Sequence, residues 1–298
     1  DKGCLIADGA TGTNLFSMGL DSGHPPELWN IEFPERVFHN HQNFIDAGSD
    51  LILTNSFGAN RFRLALHKAE HQVHELNFEA ASIARKAADG SERTILVAGS
   101  IGPTGEILEP LGELSKTEAE SAFTDQALAL KEGGVDLAWI ETMSSQEEMA
   151  SAIAACKNTN LPIVCTYSFD THGKSMMGLE PNELVMLAEQ HSPDIIGYGA
   201  NCGIGAAELI GSILCLTKSR KNHAMHIVAK GNCGIPEFID GEITYNGTEE
   251  IMAAYACYAR KLGATIIGGC CGTQKEHVKA MVNALNENTI ECPLELDP

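Results

Sequence analysis

A chain of 298 residues, 44% hydrophobic and 20% charged, can bury the core of a closed barrel, which takes about 250 residues, so residues 1–298 are expected to form one domain. Its 40 acidic against 20 basic residues leave a formal charge of −20, which repels nucleic-acid phosphates and anionic membranes and excludes both as expected partners. The ten cysteines are too sparse for a disulfide scaffold, no apolar run approaches the roughly 20 residues of a membrane span, and no secretory stretch precedes the first strand, so a reducing cytoplasm is the expected setting.

From the N-terminus, short apolar runs ending in glycine or polar residues alternate with segments of helical period. Residues 4–7 lead into Asp8-Gly9-Ala10-Thr11-Gly12, and residues 51–53 into Thr54-Asn55-Ser56-Phe57-Gly58. Residues 94–98 precede Gly99-Ser100-Ile101-Gly102-Pro103, residues 135–140 precede Glu141-Thr142, and residues 162–165 precede Thr166-Tyr167-Ser168. The runs 194–198, 225–229 and 264–267 lead into Asn201-Cys202, Lys230-Gly231-Asn232 and Gly268-Gly269-Cys270-Cys271-Gly272-Thr273. Helical spacing is clearest at 34–47, 73–88, 117–132, 181–190, 248–262 and 275–285. Eight strands alternating with helices predict an α/β fold, a single (β/α)8 TIM barrel. The open doubly wound alternative lacks a Gly-x-Gly-x-x-Gly after its first strand, and Gly173-Lys174-Ser175 lacks the first glycine of a phosphate loop. Loops 13–32, 104–114 and 233–247 are too long for ordinary βα connections and are expected to lie over the mouth; the tail 286–298 is expected at the surface.

Active sites of such barrels lie at the C-terminal strand ends, where Asp8, Asn55, Glu141, Cys202, Asn232, Cys270 and Cys271 all stand. Free cysteines are commonly small buried hydrophobes. An adjacent pair set in glycine at a strand exit points instead to metal or redox chemistry, and its two thiols supply two corners of a tetrahedral site. Cys202 is the best third ligand, because it also sits just past an apolar run beside glycines, and strands six and eight are alternate strands of a closed barrel, so the thiols could meet at the mouth. No Cys-x-x-Cys occurs, so the fold would have to assemble the site. Three thiolates on zinc leave one position for a substrate thiol, whose full ionisation from a pKa near 8.5 is worth roughly 2 kcal/mol at neutral pH.

Asp8-Gly9-Ala10-Thr11-Gly12-Thr13, Thr54-Asn55-Ser56-Phe57, Ile140-Glu141-Thr142, Asn201-Cys202 and the glycine-bracketed double cysteine together resemble the zinc-dependent homocysteine S-methyltransferases over nearly the whole chain. The stretch from Ala229 to Pro236, with Tyr245-Asn246-Gly247-Thr248, is most similar to bacterial betaine-homocysteine S-methyltransferases. The resemblance implies Zn2+ on Cys202, Cys270 and Cys271 and methyl transfer from a small donor to homocysteine, giving methionine. It also implies Glu141 at the homocysteine ammonium, Asp8 with the Gly9 and Ala10 backbone at the amino-acid end, and Asn232 as a residue able to approach the fourth metal position. Glycine betaine is the favoured donor, then dimethylsulfoniopropionate, then S-methylmethionine, with methyltetrahydrofolate last.

Animal betaine enzymes carry betaine-site tyrosines where this chain has Gly58 and Thr142, so aromatic contact with an onium head is expected from the loops, Trp29 and Phe238 first. Two other readings stay open. One is the homocysteine module of a folate- or corrinoid-dependent methionine synthase; the other is a non-catalytic zinc or redox-sensing barrel with a vicinal Cys270–Cys271 disulfide. Self-association into a homo-oligomer is also left open.

Overall fold

The computed structural model describes residues 3–170, 172–239 and 242–287. Strands β1 (Leu5–Ile6), β2 (Leu51–Leu53), β3 (Leu96–Ile101), β4 (Leu137–Met143), β5 (Ile163–Tyr167), β6 (Ile195–Cys202) and β7 (His226–Gly231) are followed by a hairpin, β8 (Pro236–Ile239) with β9 (Glu242–Tyr245), and then by β10 (Ile266–Gly269). Eight strands pair in parallel in the order β1-β10-β7-β6-β5-β4-β3-β2, and a parallel bridge between Ala7 and Leu51 brings the two ends together. This is the expected (β/α)8 barrel, with the eighth barrel strand supplied by β10 and the hairpin set in the loop before it.

Side chains alternate between two cores. Leu137 and Trp139 of β4 point into the barrel with Ala7, Leu53, Val164 and Val228, whereas Ala138 and Ile140 pack outward against the helices. Continuing that period of two turns Glu141 inward above Trp139, and on β7 it turns Lys230 inward above Val228. The mouth is thus the polar top layer of an otherwise apolar barrel.

Several strands run further toward the mouth than their apolar runs. β3 extends through Gly99 and Ser100, β4 through Glu141 and Thr142, and β6 through Asn201 to Cys202. Parallel pairing uses backbone groups, so glycine and polar residues at the mouth sustain the ladder that an apolar pattern does not reveal.

Helices cover the outside; Val73–Asp89, for example, buries Leu76, Ala80, Ala84 and Ala87 at helical spacing. No described helix is long and apolar enough to cross a membrane. The first long loop contains the helices Gly12–Ser17 and Trp29–Glu32 and is tied to the β2 exit by Asn55, whose Nδ2 donates to Pro26 O at 2.8 Å and to Asn30 Oδ1 at 3.0 Å. The second is anchored where buried Glu148 accepts from Thr104 N at 2.8 Å and from Thr104 Oγ1.

Candidate metal centre and active site

Cys202 ends β6, and Cys270 and Cys271 directly follow β10, so the barrel brings together thiols 68 residues apart in sequence. The Cys202 sulfur lies 3.1 Å from that of Cys270 and 3.8 Å from that of Cys271, and all three lie within 4.8 Å of one another. A tetrahedral zinc with bonds of about 2.3 Å separates its sulfurs by about 3.8 Å, so one pair already has that spacing and the other needs to open by roughly 0.7 Å. Sulfur contacts with Cys270 and Cys271 push Cys202 well up, while contacts with Cys202 and Cys270 draw Cys271 down to about 3. Three sulfurs this close repel one another when charged, so a bound cation is what would let all of them ionise. The donor set fits a thiophilic metal.

The loops carrying these sulfurs are fixed by side-chain amides. Asn232 Nδ2 donates to Gly203 O at 2.7 Å, and its Oδ1 accepts from Cys271 N at 3.0 Å, joining the two cysteine loops. Both ends of Asn232 are therefore engaged, and approach to a metal would require releasing them. Asn201 Oδ1 accepts from Thr142 N at 2.9 Å and Thr166 Oγ1 at 2.6 Å, while its Nδ2 donates to Thr142 Oγ1 at 2.7 Å and lies 3.9 Å from the Cys270 sulfur. It clamps Thr142, which has a left-handed backbone (φ 61°), and Cys202 beside it is also left-handed (φ 59°). Such strain in residues with a Cβ persists only where neighbours hold it. On the outer side, the Tyr245 hydroxyl donates to the Cys271 sulfur, and the Tyr245 ring lies so close to Gly272 that no Cβ fits there.

Glu141, 8% exposed, accepts a short hydrogen bond from Ser100 Oγ. Burial, followed by the nearby Cys270 charge, pushes its carboxyl up to about 7, with Lys230 opposing the shift. Asp8 and Lys230 form an ion pair of 2.6 Å at 1% and 2% exposure. The other oxygen of Asp8 accepts from Leu53 N at 2.7 Å. Burial pulls Lys230 down, and the charges of Asp8 and Glu141 more than reverse it; Asp8 is raised by burial against the pull of Lys230. A buried lysine between two carboxylates keeps charge at the bottom of the mouth without leaving it unpaired. Gly9 is required by packing, since a Cβ there would lie 2.6 Å from Thr273 O and 2.7 Å from the Phe44 ring, and Ala10 N donates to Thr273 O at 3.1 Å.

One cavity of about 570 Å³ connects these groups; Gly9, Ala10, Glu141, Cys202, Cys270 and Cys271 all line it. Trp29 does not reach it. Its ring is 2% exposed, lies 5.1 Å from Phe33 between centroids, and is covered by the Arg36 guanidinium at 4.8 Å. Phe238 falls on β8, but its side chain lies outside the described residues. Lys230 and the clamp residue Asn201 belong to the site although the sequence reading did not single them out. Their signal was a period of two continuing past the apolar runs.

The homocysteine S-methyltransferase family model matches residues 5–285. The methionine synthase of Mycobacterium tuberculosis is 27% identical over 299 aligned residues, which cover 94% of this chain and 24% of the relative; the chain thus spans about a quarter of that protein. The fold matches the homocysteine methyltransferase MmuM of Escherichia coli in its metallated form, with a TM-score of 0.77 and 23% identity over 93% of this chain and 95% of that one. The oxidised form of the same protein gives 0.76 and 24% over 94% and 96%. The family match extends from β1 to the last described helix and includes every residue of the thiol cluster, so this chain belongs to the homocysteine S-methyltransferase family.

Proposed function

We propose that the chain transfers a methyl group from a small onium donor, glycine betaine first, to the sulfur of homocysteine, with zinc held by Cys202, Cys270 and Cys271. The observation that carries this reading is three converging thiols and the buried carboxylate of Glu141 lining one cavity, in a chain of this family. Zinc on three thiolates would supply a Lewis acid that keeps the acceptor thiol ionised at neutral pH. The remaining work falls to the chain's own side chains. Glu141, oriented by Ser100, pairs with the homocysteine ammonium, a charge that favours its ionised form. Asp8, fixed by Leu53 and Lys230, holds the turn from which Gly9 and Ala10 face the amino-acid end.

The reaction breaks the methyl carbon–nitrogen bond of betaine as a carbon–sulfur bond forms. The electron pair leaves on dimethylglycine, the thiol proton having been lost to solvent. Opposite charges cancel in that step, so exclusion of water from a cavity bordered by the first long loop would assist it. Dimethylsulfoniopropionate ranks second and S-methylmethionine third, since both are onium compounds of similar size. The thiols must stay reduced, a need that a reducing cytoplasm would meet.

The likeness to a methionine synthase favours a second reading, in which this barrel is the homocysteine module of a folate- or corrinoid-dependent enzyme. A donor panel separates the two: methionine formation with homocysteine and each onium compound supports the first. Activity with methyltetrahydrofolate or a methylcorrinoid alone supports the second.

A further inference from the structure

A carboxylate that none of these steps uses lies in the same cavity. Glu27 follows Pro25 and Pro26 in the first long loop, is 6% exposed, and lines the cavity with Glu141 and the thiols. It rests on the β2 exit, where Gly58 N donates to Glu27 Oε1 at 2.6 Å. A Cβ on Gly58 would lie 2.9 Å from that oxygen, so glycine makes the room the carboxylate occupies. Among the described residues no lysine, arginine or histidine forms an ion pair with Glu27; Arg63 and His67, both exposed, act on it only through longer-range attraction. Burial raises its pKa, as it does for a carboxylate whose charge lacks a counter-ion. The same cavity is lined there by the apolar Pro25, Pro26, Phe57 and Leu64 and, further out, by Arg63 and His67.

An unpaired buried carboxylate beside apolar surface is costly unless a cation arrives to meet it. Its complement is a permanent positive charge wrapped in methyl groups, which offers charge without needing hydrogen-bond acceptors. We propose that Glu27 is the counter-ion for the cationic head of the methyl donor, so that donor selection rests on a buried carboxylate. The inference rests on the onium-donor reading above. It divides the cavity between two carboxylates, with Glu141 serving the acceptor's ammonium beside the thiols and Glu27 serving the donor under the first loop.

Steady-state methionine formation by wild type, Glu27→Gln and Glu27→Asp, each checked for zinc content and thermal unfolding, tests this. Glu27→Gln is expected to raise the KM for glycine betaine about ten- to a hundredfold while leaving that for homocysteine within about twofold. Inhibition by tert-butylacetate, the isostere of betaine with an uncharged head, separates charge pairing from packing: Glu27→Gln is expected to preserve or strengthen it. If Glu27→Gln does not fold, Glu27→Asp carries the same comparison, with the donor KM raised and the homocysteine KM kept. A wild-type donor KM in a folded variant, or a rise confined to homocysteine, overturns the proposal. A wild-type enzyme that turns over no onium donor overturns the reading beneath it.

Discussion

Replacing Lys230 with methionine would remove the cation that pairs with Asp8 at 2.6 Å, leaving a carboxylate at 1% exposure with the Leu53 amide as its remaining hydrogen-bond donor. Removing one partner of a buried pair costs about 3–5 kcal/mol, because the stranded charge keeps its full desolvation penalty. Changing both partners, Asp8→Asn with Lys230→Met, removes both charges, so the double variant is expected to recover at least about 2 kcal/mol relative to the sum of the singles. The pair also aligns the thiol-bearing strands, since Lys230 stands in register with Asn201 of β6 on one side and Gly268 of β10 on the other. Urea denaturation midpoints, read at constant m-value, give the cycle, and zinc content of the folded variants reports on the thiol end. A Lys230→Met variant with a wild-type midpoint, or strictly additive single changes, would refute the argument that the pair is coupled and buried.

Glu141→Ala is expected to retain metal and to lose about 1.5–3 kcal/mol of acceptor binding, seen as a higher homocysteine KM; unchanged turnover of homocysteine would leave Glu141 a structural role only. Asn201→Ala strands the Thr142 amide and the Thr166 hydroxyl, and is expected to cost about 2–4 kcal/mol by denaturation. Adding Thr142→Gly should return part of that loss, because glycine accepts the φ of 61° without strain. His41 is fully buried in the helix Pro34–Ala47, with neither ring nitrogen hydrogen-bonded, and burial lowers its pKa from 6.5 to about 4. Its folded pKa lies below the unfolded one, so its contribution is complete above pH 6.5 and is lost as pH falls toward about 4, a change of roughly 3 kcal/mol. Denaturation midpoints of wild type and His41→Leu across that range should diverge accordingly; parallel curves would show that His41 does not titrate as a buried neutral ring.

Much of the site was legible because barrel topology converts strand order into position. Cys202 and the double cysteine end alternate strands of the closed sheet, and glycine spacing at those ends marks them in the sequence. Lys230 was harder to read. A lysine closing an apolar run looks like the first loop residue, yet the strand continues and period two turns it inward, where Asp8 meets it. Asn201 continues the period of two in the same way, with its partners on β4 and β5, whereas Asn232 is a clamp between the two cysteine loops whose role no local pattern announces. Trp29 was read as a loop aromatic free to meet a ligand, but the loop folds into a helix that buries the indole beneath Arg36. Glu27 gave no local signal either, because its burial depends on the missing side chain of Gly58, 31 residues away.

X-ray absorption at the zinc edge of the purified chain reads whether three cysteines form a metal centre with one position for the acceptor thiol. About one zinc per chain is expected, with three sulfur neighbours near 2.3 Å, rising to four when homocysteine is added, and the metal is expected to be lost in Cys202→Ala. Full zinc retention by Cys202→Ala, or a sulfur count that does not change with homocysteine, would contradict that arrangement.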